Sequence, residues 1–397
     1  MAATELARRL IMASTLDGFS RDPIYLDHNA TTPLLPEVVE AMLPYLREHF
    51  GNPSSSHVYG ARARSAVAQA RRQVAALLGC DEDEVVFTSG GTEANNLAIH
   101  GVAEAREDRR HIVTTAIEHP ATERPCAWLA RHGWTLTRLG VDEHGRARLD
   151  EARSAIGERT ALVTVMHSNN ETGVLQPVAE LAEIAHAAGV VVHTDAAQSI
   201  GKVPVRVREL GVDLLSIAGH KLYAPKGVGA LYVKRGTPLA PFSLGAGHER
   251  GMRPGTENVA SIVGLGVACE RAESDMAEVG PRMRALRETL WARLSAAVPG
   301  LALNGHGELR LPNTLNVRFP RASGESVLAG APEVAASTGS ACHEGHERAS
   351  AVILAMGVTP DEALGSVRLT LGRGTTEGDV ALTADALARS WRMLTTG

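Results

Sequence analysis

Leu215-Ser216-Ile217-Ala218-Gly219-His220-Lys221 reads as a short buried strand that runs into a glycine turn and delivers a lysine at its end. In open α/β sheets, ligands and catalytic groups gather outside the carboxyl ends of the strands. Lysine is scarce in this chain: Lys202, Lys221, Lys226 and Lys234 are the only four, against 36 arginines. Unlike a guanidinium, a lysine amine loses its proton when desolvated and bonds covalently to a carbonyl carbon. A solvated lysine after a turn fits Lys221 equally well taken alone, so its neighbours decide.

Upstream, apolar strand patterns alternate with helical ones. Val85–Thr88, His111–Thr115, Ala161–Met166, Val190–His193 and Leu214–Ala218 read as strands, followed by Gly229–Val233. Ala161–Met166 is almost wholly apolar, as expected of a strand covered on both faces. Between the strands, Ala94, Leu97, Ala98 and Val102 mark one helix face and Val178, Leu181, Ala182 and Ala185 another. Such alternation predicts a mostly parallel sheet with crossover helices. An earlier helix carries Val67, Ala70, Val74, Leu77 and Leu78, with Gly79 placed to end it.

Four successive strand ends carry polar groups. Ala116-Ile117-Glu118-His119 follows one, His167-Ser168-Asn169-Asn170-Glu171 the next, then Asp195 with Gln198 one turn later, then Lys221. Asp195 fits a helix N-cap on its own. An acidic group at this edge also suits a pyridine nitrogen that must stay protonated to act as an electron sink. Thr88-Ser89-Gly90-Gly91-Thr92-Glu93 lies between a strand and a helix, where glycines open the backbone amides to a phosphate. Capping by Thr92 alone explains that stretch as well.

Composition bounds the rest. At 397 residues, 44% hydrophobic and 21% charged, the chain is long enough for two domains. A net charge of −5 gives no reason to expect a nucleic-acid partner. No apolar run approaches the roughly 20 residues that span a membrane. Cys80, Cys126, Cys269 and Cys342 show no C-x-x-C spacing, which argues against a zinc site or a disulfide framework, and a reducing cytoplasm is the expectation. Residues 1–22 read as a tail of no assigned role, with Met12 a second candidate start.

Beyond the glycine-rich stretch 245–255, two long helical patterns follow at about 259–277 and 281–297. Short strands come next at Leu315–Phe319 and Val367–Leu371. A last helix bears Val380, Ala384, Leu387, Trp391 and Leu394 on one face. The expected division is a tail over 1–22, a large domain over 35–258, and a smaller α+β domain built from 23–34 and 259–397. Within it, Ser337-Thr338-Gly339-Ser340-Ala341-Cys342-His343-Glu344-Gly345-His346 surrounds one cysteine with small residues and two histidines, a setting that favours a thiolate.

The sequence resembles the cysteine desulfurases of the NifS/IscS type, in the class V aminotransferase group of pyridoxal-phosphate enzymes with fold type I. The matching stretches are Tyr25–Pro33, Gly51–Ser54, Phe87–Glu93, Asn169–Gly173, His193–Gln198, Gly219–Lys221, His248–Thr256, Gly339–Cys342 and Arg368–Arg373. The resemblance implies pyridoxal 5'-phosphate on Lys221 as a Schiff base, Asp195 at the ring nitrogen, and His119 stacked on the ring. It implies Asn170 and Gln198 at the phenolic oxygen, and Gly91, Thr92, Ser216 and His220 around the phosphate. Thr256 would reach into the site of a second subunit, making a homodimer. Arg368 and Asn170 would hold the carboxylate of L-cysteine. Cys342 would take the sulfur as a persulfide for an acceptor protein, with alanine released. Ala218 stands where the family often has a phosphate-binding serine, and Ala341-Cys342-His343 is similar to selenocysteine lyases. A selenocysteine lyase, or a transaminase or epimerase of the group, is therefore the alternative.

Overall fold

The computed structural model describes residues 22–338 and 349–396. The first strand, β1 (Ile24–Tyr25), enters alone; seven more follow along the chain. They are β2 (Val85–Thr88), β3 (His111–Thr115), β4 (Thr135–Leu139), β5 (Thr160–Met166), β6 (Val191–Asp195), β7 (Leu214–Ala218) and β8 (Gly229–Val233). Together they form one sheet in the order β2-β8-β7-β6-β5-β3-β4. The pairs from β7 through β4 are parallel, while β8 runs antiparallel to both β7 and β2. This is the mostly parallel α/β sheet expected from the alternation. The edge strand β4 was not legible as a strand, because Thr135-Leu-Thr-Arg-Leu139 is half exposed and mixed in character.

Burial follows the strand chemistry. Every residue of β5, β6 and β7 is buried, and helices cover both faces. One core packs Val163, Val165, Leu215 and Ile217 against Val74, Leu77 and Leu78 of the helix Val58–Leu78, which Gly79 closes at φ 70°. A second layer places Val86, Ile112, Leu162 and Leu231 against Leu97, Ala98 and Val102 of the helix Gly91–Ala105.

The C-terminal part has its own core. Strands β9 (Ala302–Leu303), β10 (Thr314–Arg318) and β12 (Ser366–Thr370) form an antiparallel sheet, and β11 (Val334–Ala335) pairs in parallel with β1. Leu315, Val317, Val367 and Leu369 pack there with Leu26 and with Val380, Leu387 and Trp391 of the final helix, Glu377–Thr395. One expectation is corrected. The two helices read at 259–277 and 281–297 are a single helix, Val259–Ala297, with Pro281 inside it. Its first half buries Ile262, Leu265 and Cys269 in the large core, and its second buries Leu286, Leu290 and Leu294 in the small one. The helix thus ties the two cores together, and residue 259 is no sharp boundary.

Candidate active site

Parallel register sets the ends of neighbouring strands level. Met166 pairs with Asp195, and Asp195 with Ser216, so β5, β6 and β7 open together onto one edge. A cavity at that edge is lined by Gly91, Thr92, His119, Asn170, Asp195, Gln198, His220 and Lys221, with Asn95 and Ser168 among the others. Eight of the expected site residues meet in this one place.

The glycine turn forms one wall. Gly90 sits at φ 146°, a conformation that suits glycine alone, directly before the helix Gly91–Ala105. The first residues of that helix, Gly91 and Thr92, line the cavity, which places the positive end of its dipole there. Gly229, between Ala218 and Thr88 in register, leaves room for the turn: a Cβ there would lie 2.7 Å from Gly90 Cα.

Asp195 is 8% exposed, and both its oxygens are held. Asn95 Nδ2 donates to Oδ2 at 2.7 Å, and the Ala197 N–H donates to Oδ1 at 2.9 Å. Lys221 arrives in the turn after β7. Burial pushes its amine below the ordinary lysine range, Asp195 pulls it back up, and Arg368 pushes it down. His119 caps the helix Pro120–Arg131, and its Nδ1 accepts from the Ala121 N–H at 3.1 Å. That bond leaves the ring proton on Nε2. Burial first, then Lys221, lowers the His119 pKa against the opposing pull of Asp195, so the ring is neutral at neutral pH.

Gln198 Nε2 donates to Asn29 O at 2.9 Å, tying the site to the loop after β1. At the far corner, Arg368 does not line the cavity but reaches the backbone of Asn170, which does: its Nη1 donates to Asn170 O at 3.0 Å and its Nη2 to Asp27 Oδ1 at 2.7 Å. Its Nε is buried with no partner among the described residues. His220 Nδ1 lies 3.2 Å from Thr31 Oγ1.

Ser216 requires a correction. Its hydroxyl is fully buried at 2.9 Å from His193 Nε2 and does not line the cavity. Strand period puts Ser216 on the same face as Ala218 but one pleat deeper, beneath the site. Thr256 is exposed and lies outside the cavity of its own chain. Cys342 lies outside the described residues. The chain on either side of it is anchored at this corner. Ser337 O accepts from the Arg368 N–H at 2.7 Å, and Ser350 Oγ donates to Glu171 Oε2 at 2.5 Å. Asn95 went unread in the sequence, although a polar residue four positions after Gly91 on an apolar helix face was the available signal.

A buried amine, a fixed carboxylate, an imidazole and a helix N-terminus surround one cavity. Residues 24–382 match the aminotransferase class-V family, and the chain belongs to that family. Within it the chain is similar to the cysteine desulfurase of Trichormus azollae, at 46% identity over 359 residues, 90% of each chain. A solved NifS-like protein superposes with a TM-score of 0.87 at 36% identity, covering 94% of this chain and 100% of that one. A second solved structure, SspA in complex with cysteine, gives 0.78 at 35% identity over 87% and 98% of the two chains. Among the described residues no group of His, Cys, Asp and Glu is placed to hold a metal ion, and no helix is long and apolar enough to cross a membrane.

Proposed function

We propose that this chain is a pyridoxal-phosphate-dependent cysteine desulfurase that converts L-cysteine to L-alanine and leaves a persulfide on Cys342 for an acceptor protein. The observation that carries the reading is the convergence of Lys221, Asp195, His119 and Gln198 on one cavity beside a helix N-terminus. Relatives named cysteine desulfurase support it across most of the chain.

The donor set fits pyridoxal phosphate. The glycine turn and Thr92 would receive the phosphate, with His220 beside them, while Ala218 supplies no hydroxyl. Bound there, the cofactor supplies a sink for the electron pair left on the substrate Cα when its proton is removed. Asp195, held by Asn95 and Ala197, keeps the ring nitrogen protonated. His119 covers the ring as a neutral aromatic. Lys221 would hold the cofactor, and its desolvated amine, once free, would take the substrate Cα proton.

Arg368, held through Nη1 on the Asn170 backbone oxygen, is assigned to the substrate carboxylate. The Cys342 thiolate then attacks the substrate sulfur. An S–S bond forms, the C–S bond breaks, and the carbon keeps the pair and takes a proton to become the methyl group of alanine. Thr256, exposed in its own chain, is assigned to the phosphate of a second subunit in a homodimer. A reducing cytoplasm suits a reactive persulfide. Cys80, Cys126 and Cys269 are free thiols.

The test is product analysis with L-cysteine and a reductant. Alanine and sulfide should form in equal amounts, and Cys342→Ala should lose nearly all of both while still taking up cofactor. A keto acid in place of alanine would move the chain to the transaminases. Turnover of selenocysteine with almost none of cysteine would make it a lyase.

A further inference from the structure

Behind Gln198, outside the cavity lining, lies a second buried amine that the proposed chemistry does not use. Lys202 is 7% exposed and forms no ion pair among the described residues. Its Nζ lies 3.1 Å from Gln198 Oε1 and 3.2 Å from Asn29 Oδ1. An ammonium has donors and no acceptor, so both contacts end on oxygens and both amides are fixed in orientation. Gln198 must therefore turn its NH2 the other way. One of its hydrogens goes to Asn29 O at 2.9 Å, and the other remains for the cavity that Gln198 lines.

Asn29 is oriented by the same contact. Its Oδ1 also accepts from Asn313 Nδ2 at 3.1 Å, and its Nδ2 donates to Thr314 Oγ1 at 3.0 Å and Asn170 O at 3.3 Å. Asn170 O is the oxygen that Arg368 holds. A continuous buried network thus runs from Gln198 through Lys202 and Asn29 to the corner assigned to the substrate carboxylate.

We propose that Lys202 is a positioning residue, which locks the Gln198 amide as a donor toward the ring oxygen of the bound cofactor. The inference rests on the pyridoxal-phosphate reading of the cavity. Without Lys202 the amide is free to turn by 180° and present its oxygen to that acceptor. The group is costly to keep: burial first, then Lys221 and Arg368, push its amine down to about 7. Even when neutral it retains two N–H donors for the same two oxygens.

The experiment is a pH titration of the visible absorption of the cofactor-loaded enzyme. Losing a donor to the ring oxygen raises that oxygen's basicity, so the midpoint in Gln198→Ala should rise by about half a pH unit or more. Lys202→Met should show the same rise, and the double variant should rise no further than Gln198→Ala. Lys202→Arg, which like lysine offers donors and no acceptor, should stay with the wild type, and it decides the matter if Lys202→Met cannot be loaded. A wild-type midpoint in Lys202→Met, additive shifts in the double variant, or a Lys202→Arg midpoint matching Gln198→Ala would overturn the inference. A wild type that takes up no cofactor would defeat the reading of the site itself.

Discussion

Asp195 works through a side chain that holds it in place. The Asn95 contact at 2.7 Å is buried, and Asn95 is bonded in turn to Thr122 Oγ1 at 3.1 Å. Replacing Asn95 with Ala removes one charge-assisted bond and frees the carboxylate to swing. The expected loss is about 1.4 kcal/mol in the barrier, roughly tenfold in kcat, with cofactor uptake retained. Steady-state kinetics beside a cofactor titration check it; an unchanged kcat would remove Asn95 from the site. Asp195 and Lys221 were legible because each ends an apolar strand, where a charged residue stands out. Asn95 was not, since Ala94, Leu97 and Ala98 around it read only as a helix core. Ser216 shows the opposite failure. Alternation along a strand gives the face of a residue but not its depth, and the polar partner that takes its hydroxyl, His193, belongs to another strand.

Among the elements, the junction of β2, β7 and β8 sets the Gly90–Gly91 turn. A Cβ on Gly229 would sit 2.4 Å from Ile217 O and 2.7 Å from Gly90 Cα, both of them backbone atoms that no rotamer change can move aside. Gly229→Ala should therefore displace the Gly90–Gly91 turn, with a cost of about 1–3 kcal/mol in stability. Cofactor affinity should fall with it. Thermal unfolding and a cofactor-binding titration read the two effects, and wild-type values in both would show that the turn tolerates the shift. The sequence disclosed this strand–turn–helix unit, yet not that an antiparallel strand reaches in beside it, because that pairing is long-range. The helix Val259–Ala297 was misread for a related reason. Its apolar stripe serves two different cores, so the period breaks near Pro281 although the backbone does not.

At the scale of the whole molecule, buried histidines tie stability to pH. Burial lowers His28, His167 and His193 to about 4 each, with Lys202 a further cause at His28 and Asp195 opposing at His193. Unfolded, each takes a proton near 6.5. Their contribution is present above that value and is lost as pH falls from about 6.5 toward 4. Glu118, pushed up to about 8 by burial, and Glu171, shifted the same way by burial, bind protons in the folded state and oppose this. The histidine effect develops fully only once the pH is well below 6.5, so stability should fall as the pH drops from 6 toward 5. Denaturant unfolding at pH 7, 6 and 5 checks the slope; a flat profile would mean that these histidines are charged in the folded protein. The two-core α/β architecture and the common edge of the sheet were the most legible features, because burial on both faces dictates the strand composition.

The most direct test of the account uses the cofactor-loaded protein reduced with borohydride, digested and mapped by mass spectrometry. The pyridoxyl group should appear on Lys221 and on none of Lys202, Lys226 or Lys234. A reduced adduct on Lys202, the buried amine behind Gln198, or on Lys226 would contradict the assignment from which every proposed role of the cavity follows.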